Sequence, residues 1–224
     1  MLAPLLLTAA LSSGVSPPGA QRDSPHPIAA GRQRLQSSRY FLKIGQSDIE
    51  VDIQLQPSSL QTDDVLAWVR RAAESVATYY GRFPVQRARV CVTQSEDAGE
   101  SIHGTTRGDI EGFQSVSRMS FGSSASKTDL AADWAMTHEF VHMGMASLAD
   151  EHHWLEEGLA TYVEPIARAQ DGQLTAEKVW RDVVSGMPQG EPQRGDRGLD
   201  RTHTCGRTYW GAITSRPSQP LQSR

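Results

Sequence analysis

The sequence predicts an α+β protein, because alternating, strand-like segments dominate the first half of the chain and segments with helical periodicity dominate the second. Tyr40 to Leu55 alternates apolar and polar residues around a turn, which predicts a β-hairpin. Leu60 to Tyr80 has apolar residues at helical spacing and ends at Gly81. Two further strands are predicted at Arg87 to Val92 and Glu111 to Phe121.

Three helices are predicted in the second half. The first runs from an N-cap at Thr128 or Asp129 to about Ser147, and the second from Glu151 to about Ala169. Pro165 should kink or split the second helix, because proline has no amide N–H to donate. A third helix opens at Thr175. Gly104 to Gly108, between the predicted strands, is predicted to be a loop.

Composition and charge narrow the possible functions. The chain has 224 residues, of which 38% are hydrophobic and 21% charged, and this supports one catalytic domain with at most a small appendage. The net charge of -4 leaves no basic surface, so nucleic acid is not an expected partner. No apolar run approaches the roughly 20 residues of a membrane-spanning helix, so no integral span is expected in the mature chain. The oligomeric state is left open.

The N-terminus has the pattern of a secretion signal. Leu2 to Leu11 is an apolar run followed by small residues, although no Lys or Arg precedes it. We predict a signal peptide over residues 1–20 and an exported protein, located in the periplasm, the envelope or outside the cell. A short apolar start to a cytosolic chain, or a lipid-facing anchor, is the alternative. Residues 21–38 are rich in Pro, Ser, Gly and Gln and are predicted to be a flexible linker.

Two cysteines, Cys91 and Cys205, leave the redox state open. They could form one disulfide in an exported protein, or remain as two unpaired thiols. Their spacing does not fit a zinc knuckle or a C-x-x-C redox motif.

Residues 138–142 read His-Glu-Phe-Val-His and carry the chemistry. On a helix, His138 and His142 lie one turn apart on the same face, so both imidazoles point into one space. Glu139 lies about 100° round the helix, within reach of a water on a metal ion held by the pair. Such a string also arises by chance, so the motif alone does not establish a metal site. A catalytic zinc site has three protein ligands, so a third ligand should be found elsewhere in the sequence.

A third ligand is available on the next predicted helix, where residues 154–164 read WLEEGLATYVE. This helix follows a short connection, so it should return antiparallel and direct a carboxylate at the histidines. Together the two motifs resemble the gluzincin metallopeptidases, particularly the aminopeptidase N and glycyl-aminopeptidase-like groups. The resemblance covers about residues 129–169, and it implies a zincin-like catalytic domain over residues 39–212.

The resemblance also implies the site residues. Glu157, directly before a glycine, would bind one zinc ion together with His138 and His142. Glu139 would act as general base in hydrolysing a peptide or protein substrate. Glu164, seven residues after Glu157, would orient a metal-binding histidine.

Departures from the gluzincin pattern bear on activity. Fourteen residues separate His142 from Glu157, fewer than is usual, and no Gly-x-Met-Glu-Asn segment is visible, so exopeptidase or endopeptidase action is left open. The family's substrate-stabilising tyrosine has its nearest match at Tyr209. We predict Tyr209 as the donor that stabilises the oxyanion, with His203 in reserve; simple packing is the alternative role of the tyrosine.

Residues 213–224 contain two prolines and few apolar side chains, and they are predicted to be disordered. Because the resemblance implies a helix there, we expect that truncation or a frame shift near Gly211 has removed the C-terminal helical lobe. The chain would then be a zinc metallopeptidase, or else a weak or inactive zinc-binding remnant acting as a binding or structural module. Glu139 favours the enzyme, because a structural zinc site needs no general base.

Four residues near the two motifs have other expected roles. His152 and His153 could compete as metal ligands, although both are expected to lack a partner four residues further on. Glu156 is expected to face solvent. Asp133, one turn before the motif, is expected to be a charge on the helix surface, with support of the metal site as the alternative.

Overall fold

The computed structural model describes residues 36–56, 60–96, 99, 101–149 and 153–186. The strands are β1 (Gln36–Ile44), β2 (Ser47–Leu55), β3 (Arg87–Gln94), β4 (Ile102–Ile110) and β5 (Phe113–Phe121). The helices are α1 (Thr62–Tyr80), α2 (Lys127–Ala132), α3 (Ala135–His142), α4 (His153–Gln170) and α5 (Ala176–Gly186). The predicted signal peptide and tail lie outside the described residues, as do His152, His203, Cys205 and Tyr209. What was predicted of them stays a prediction.

The five strands form one mixed sheet in the order β1-β2-β3-β5-β4. Strands β2, β3 and β5 are parallel to one another, whereas β1 and β4 pair antiparallel with their neighbours at the two edges. The predicted hairpin is confirmed: Ile44 pairs with Ser47 across a two-residue turn in which Gly45 has φ 58°. Strand β1 begins at Gln36, inside the stretch predicted to be a linker.

The hydrophobic core lies between the sheet and the helices. Alternate residues of the central strands are fully buried, and α1 contributes an apolar stripe that includes Trp68. The Trp68 ring meets Phe121 of β5 edge to face, with 6.2 Å between ring centroids. Helix α1 also packs against α3 and α4, the two helices that carry the residues of the predicted metal site, and α3 in turn packs against β4 and β5.

The segment Gly104 to Gly108 is not a loop, and that prediction is wrong: it is the middle of edge strand β4. Its residues are glycine, threonine and arginine, so the apolar alternation that marks a buried strand is absent, although its backbone pairs with β5 throughout. A tight turn joins the two strands at Glu111 and Gly112, both at positive φ. The predicted strand beginning at Glu111 therefore begins at Phe113.

The prediction of a single helix running to Ser147 is also wrong, because this segment forms two short helices, α2 and α3. Asp133 leaves the helical conformation, with φ -59° and ψ 142°. Its carboxylate accepts hydrogen bonds from the N–H groups of Ala135 and Met136, at 2.9 and 3.0 Å, and so caps α3. Asp133 is thus a helix cap rather than a charge on a helix surface. Helix α2 is capped in turn by Ser126, two residues before the predicted position.

The later helices follow the prediction more closely. Helix α4 runs through Pro165 without a break, so the split predicted there is wrong; the helix packs against α1, α3 and α5. Thr175 precedes α5 and accepts a hydrogen bond from the N–H of Lys178 at 3.2 Å, as expected of a helix cap. None of the helices in the described part of the chain combines the length and the apolar character needed to cross a membrane.

Candidate metal centre

Helices α3 and α4 pack together so that the three predicted ligands meet. His138 and His142 lie one turn apart on α3, with 3.1 Å between their Nε2 atoms. Glu157 lies near the start of α4, where its Oε2 is 3.1 Å from Nε2 of His138 and its Oε1 is 3.5 Å from Nε2 of His142. These residues form a cluster of ligand atoms suited to a metal ion.

The chemistry and spacing of this cluster fit zinc. Two imidazoles and one carboxylate form a known ligand set of catalytic zinc sites, which keep the fourth position for water or substrate. A tetrahedral ion with bonds of 2.0–2.1 Å would separate its ligand atoms by roughly 3.3 Å. The two imidazole nitrogens lie 3.1 Å apart, and Glu157 places one oxygen 3.1 Å from Nε2 of His138 and the other 3.5 Å from Nε2 of His142, which is close to that value. The three residues could therefore hold a zinc ion with little movement.

Burial and mutual contact set the charges in the cluster. Burial acts to raise the pKa of the Glu157 carboxyl, but hydrogen bonds with His138 and His142 outweigh it and the pKa lies far below its ordinary value. Burial acts to lower the pKa of His142, yet contact with the Glu157 carboxylate leaves that pKa raised. Without metal, an ionised Glu157 therefore faces a ring that readily accepts a proton.

Glu139 is held by the edge strand. Oγ1 of Thr106, on β4, lies 2.7 Å from Oε2 of Glu139 and donates a hydrogen bond to it. The same hydroxyl lies 3.0 Å from the Glu139 carbonyl oxygen and 2.7 Å from Oγ of Ser117. Burial raises the pKa of Glu139, and the hydrogen bond from Thr106 opposes that rise. The general-base candidate is therefore a buried carboxylate fixed from one side.

Gly104 lets β4 approach α3 closely enough for this contact. A Cβ atom at Gly104 would lie 2.5 Å from Cγ of Glu139 and 2.6 Å from Sδ of Met119. Both distances are shorter than non-bonded carbon and sulfur atoms tolerate. Only glycine fits here with the surrounding side chains in place.

Nδ1 of His138 is not hydrogen-bonded to the predicted supporting residue Glu164. Nδ1 of His138 is buried and has no hydrogen-bond partner among the described residues. Glu164 is 1% exposed and accepts a hydrogen bond from Nη1 of Arg168 at 2.8 Å. Arg168 also donates from Nη2 to the carbonyl oxygen of Ala132, which ties α4 to the end of α2. Glu164 thus does not orient the His138 ring, and its support of His142 stays a prediction.

His153 and Glu156 have partners that the sequence analysis missed. Nε2 of His153 lies 3.2 Å from Oε1 of Glu157, and its Nδ1 lies 3.2 Å from Oε2 of Glu156. Glu156 also accepts the backbone N–H of Leu148. Glu156 was expected to face solvent, but this expectation is wrong, because its side chain is only 12% exposed. The i, i+4 spacing of His153 and Glu157 was the available signal.

No family model and no curated protein matches the chain. Among solved structures, an aminopeptidase N family protein from Idiomarina loihiensis aligns with a TM-score of 0.50 at 9% identity, over 80% of this chain and 36% of that one.

Further alignments are with an M1 zinc metallopeptidase from Deinococcus radiodurans. Its structure aligns with a TM-score of 0.42 at 14% identity, over 76% of this chain and 36% of that one. A variant bound to a Tyr-Ser-Ala substrate aligns with a TM-score of 0.45 at 12% identity, covering 80% and 39%. This chain thus spans little more than a third of the length of the structures it matches.

At such low identity the similarity concerns the fold alone. The first alignment covers most of this chain, including the mixed sheet and several helices. The fold of this chain is similar to part of the fold of an aminopeptidase N family protein.

Proposed function

We propose that this chain is a zinc-dependent metallopeptidase that hydrolyses peptide bonds, with Glu139 as general base. The observation that carries the proposal is the convergence of His138, His142 and Glu157, with Glu139 held beside them by the edge strand. A purely structural zinc site requires no buried carboxylate next to its ligands. The gluzincin-like fold supports the same reaction class.

Each residue of the proposed site has a separate role. His138, His142 and Glu157 would hold one zinc ion, which when bound acidifies water and polarises a carbonyl group. Glu139 takes the proton from the attacking water and passes it to the departing amine. Thr106 fixes the Glu139 carboxylate through a hydrogen bond to Oε2, so the base does not need to reorient during the reaction.

Two parts of the proposal concern residues outside the described structure. We propose Tyr209, with His203 in reserve, as the donor to the oxyanion that develops on the substrate carbonyl. Tyr209→Phe removes the hydroxyl with little other change, so it should lower kcat with the zinc content unchanged. Equal kcat in Tyr209→Phe and the parent would remove this assignment. Export of the protein, based on the N-terminal apolar run, is proposed on the sequence alone.

The decisive experiment compares Glu139→Gln with the parent. Both proteins are assayed for zinc content and for cleavage of a fluorogenic peptide library. We expect one zinc ion per chain in both proteins and a loss of activity of at least about 100-fold in the variant, in line with general-base catalysis. Glu74→Gln, on the exposed surface of α1, is the matched control and should keep full activity.

The same assay separates the alternatives. His138→Ala should lose both zinc and activity, because it removes a ligand. Zinc in the parent without activity in either protein would instead favour a zinc-binding remnant acting as a binding or structural module. Undiminished activity in Glu139→Gln would contradict the proposed mechanism.

A further inference from the structure

The ring of His153 lies between two carboxylates at the start of α4. Its Nε2 is 3.2 Å from Oε1 of Glu157, four residues further on, and its Nδ1 is 3.2 Å from Oε2 of Glu156. The side chain is 41% exposed, so the ring approaches Glu157 from the solvent side of the cluster. His153 is not itself one of the three converging ligands.

The two oxygens of Glu157 have different neighbours. Oε2 lies 3.1 Å from Nε2 of His138, whereas Oε1 lies between His142, at 3.5 Å, and His153, at 3.2 Å. A carboxylate on a glutamate side chain can rotate about its last bond, and a hydrogen bond to one oxygen restricts that rotation. Carboxylates that bind metals are generally fixed by such hydrogen bonds.

Glu156 connects His153 to the chain between α3 and α4. One of its oxygens faces Nδ1 of His153, and the other accepts the backbone N–H of Leu148. A continuous series of polar contacts therefore runs from this connection through Glu156 and His153 to Glu157. Each nitrogen of the imidazole lies 3.2 Å from a carboxylate oxygen, so the ring is in contact on two sides although part of it is exposed.

We propose that His153 is a positioning residue for the metal centre, donating a hydrogen bond from Nε2–H to Oε1 of Glu157. This contact holds the carboxylate toward His138 and His142 before the ion arrives. The inference rests on the proposed zinc site and assigns His153 no contact with the ion. Removing the donor should weaken zinc binding by about 10- to 100-fold, as is typical of residues that support metal ligands.

Three substitutions separate this role from simple packing. In His153→Gln the side-chain amide nitrogen replaces Nε2 and can still reach Glu157, whereas in His153→Asn it replaces Nδ1 and can reach only Glu156. His153→Leu removes both donors. We expect zinc affinity within about threefold of the parent for the Gln variant, and at least about tenfold weaker for the Asn and Leu variants.

The measurement is the zinc dissociation constant of the metal-free full chain, obtained by competition with a chromophoric chelator, with thermal unfolding of each metal-free variant alongside. His103→Gln, at an exposed histidine of β4, is the control. If His153→Leu does not fold, the Gln and Asn pair still carries the test. Zinc affinity unchanged in the Asn variant, or equally reduced in the Gln and Asn variants, would overturn the positioning role alone. A parent that binds no zinc would overturn the proposed function as well.

Discussion

Glu139 is the residue on which the proposed chemistry depends, and its position is set by a hydroxyl from a different element. Thr106 lies on β4, 33 residues earlier in the chain, and donates to the Glu139 carboxylate. Ser117, on β5, lies 2.7 Å from the same hydroxyl and extends the contact into the sheet. The base is therefore held against the sheet, and not only by its own helix.

Thr106→Val tests this contact, because valine keeps the shape of threonine and removes the hydroxyl. We expect kcat to fall by about tenfold, since general-base catalysis requires the base to lie within hydrogen-bond reach of its proton. Zinc content should be unchanged, and Thr106→Ser should restore most of the activity. Steady-state kinetics with a fluorogenic peptide measures the effect. Thr105→Val, at the exposed neighbouring position, is the control; a fall of the same size there would contradict the assignment.

The raised pKa of His142 predicts how zinc binding depends on pH. A histidine must lose its proton to bind a metal ion, so a zinc ion binding below this pKa has to displace one. Affinity should be high above that pKa and fall by up to about tenfold per pH unit below it, with the midpoint above the ordinary histidine value of about 6.5. Glu157, whose pKa is low, should contribute no proton in this range.

Calorimetric titration of metal-free protein with zinc, in buffers of different ionisation enthalpy, measures both the affinity and the protons released. His103→Gln should leave the profile unchanged, because this histidine is exposed on β4 and lies outside the ligand cluster. Affinity that is constant down to about pH 5, where ordinary histidines are already protonated, would show that no ligand is protonated in the metal-free site.

At the scale of secondary-structure elements, edge strand β4 is in close contact with α3, the helix that carries the two predicted histidine ligands. Strand β4 lies directly on α3, and this close approach requires the absence of a side chain at Gly104. Gly104→Ala places a methyl group 2.5 Å from Glu139 and 2.6 Å from Met119. We expect a loss of about 1–3 kcal/mol in the free energy of unfolding, the usual result of overfilling a packed site.

Urea denaturation of the metal-free protein measures the effect of Gly104→Ala, and activity should fall with it because Glu139 is displaced. Gly108→Ala is the matched control on the same strand. A methyl group there would lie 3.7 Å from the Gln114 carbonyl oxygen, which is an ordinary contact. Equal stability of the two variants would contradict the close approach of β4 to α3.

The break between α2 and α3 depends on Asp133. Its carboxylate caps α3 and also accepts a hydrogen bond from Nε1 of Trp68 at 2.9 Å. Asp133→Ala should lower the free energy of unfolding by at least about 2 kcal/mol, because it removes a helix cap and leaves a buried indole N–H without its acceptor. Chemical denaturation measures this loss.

Two comparisons make the Asp133 prediction specific. Asp133→Asn keeps one acceptor oxygen, which can still accept from Met136 and Trp68 but not from Ala135 as well, and should recover part of the stability. Asp63→Ala, in the exposed first turn of α1, should change stability by less than about 0.5 kcal/mol. A loss at Asp63 as large as that at Asp133 would contradict the capping role.

At the scale of the whole molecule, the proposed metal centre joins two helices of the chain. His138 and His142 belong to α3 and Glu157 to α4, so a bound ion connects them in the folded state. Zinc at 100 times its dissociation constant should add about 2.7 kcal/mol to the free energy of unfolding, and chelation should remove it. Thermal unfolding with zinc and with a chelator measures the difference.

His138→Ala is the matched variant for this prediction. With one ligand absent, its melting temperature should not respond to zinc. A parent protein whose melting temperature is the same with zinc and with chelator would contradict a metal centre that forms only in the folded chain.

The two histidines and the general-base candidate could be predicted from the sequence because their relation is local, whereas the choice of Glu157 as third ligand came from the resemblance to the gluzincin pattern. Four-residue spacing on a helix places two imidazoles together whatever surrounds them, and a short connection brings the next helix back beside the first. The β1–β2 hairpin and α1 were predictable for the same reason, since alternation and helical periodicity are properties of neighbouring residues.

Only the tertiary structure decided what surrounds those residues. Edge strand β4 has no apolar alternation, so its glycines and threonines predicted a loop. Its pairing with β5, which makes it a strand, is visible only in the structure. The break at Asp133 depends on Trp68, 65 residues away, and the support of Glu139 depends on Thr106. Contacts between residues so distant in the chain leave no periodic signal, because they arise only when the sheet and helices pack against each other.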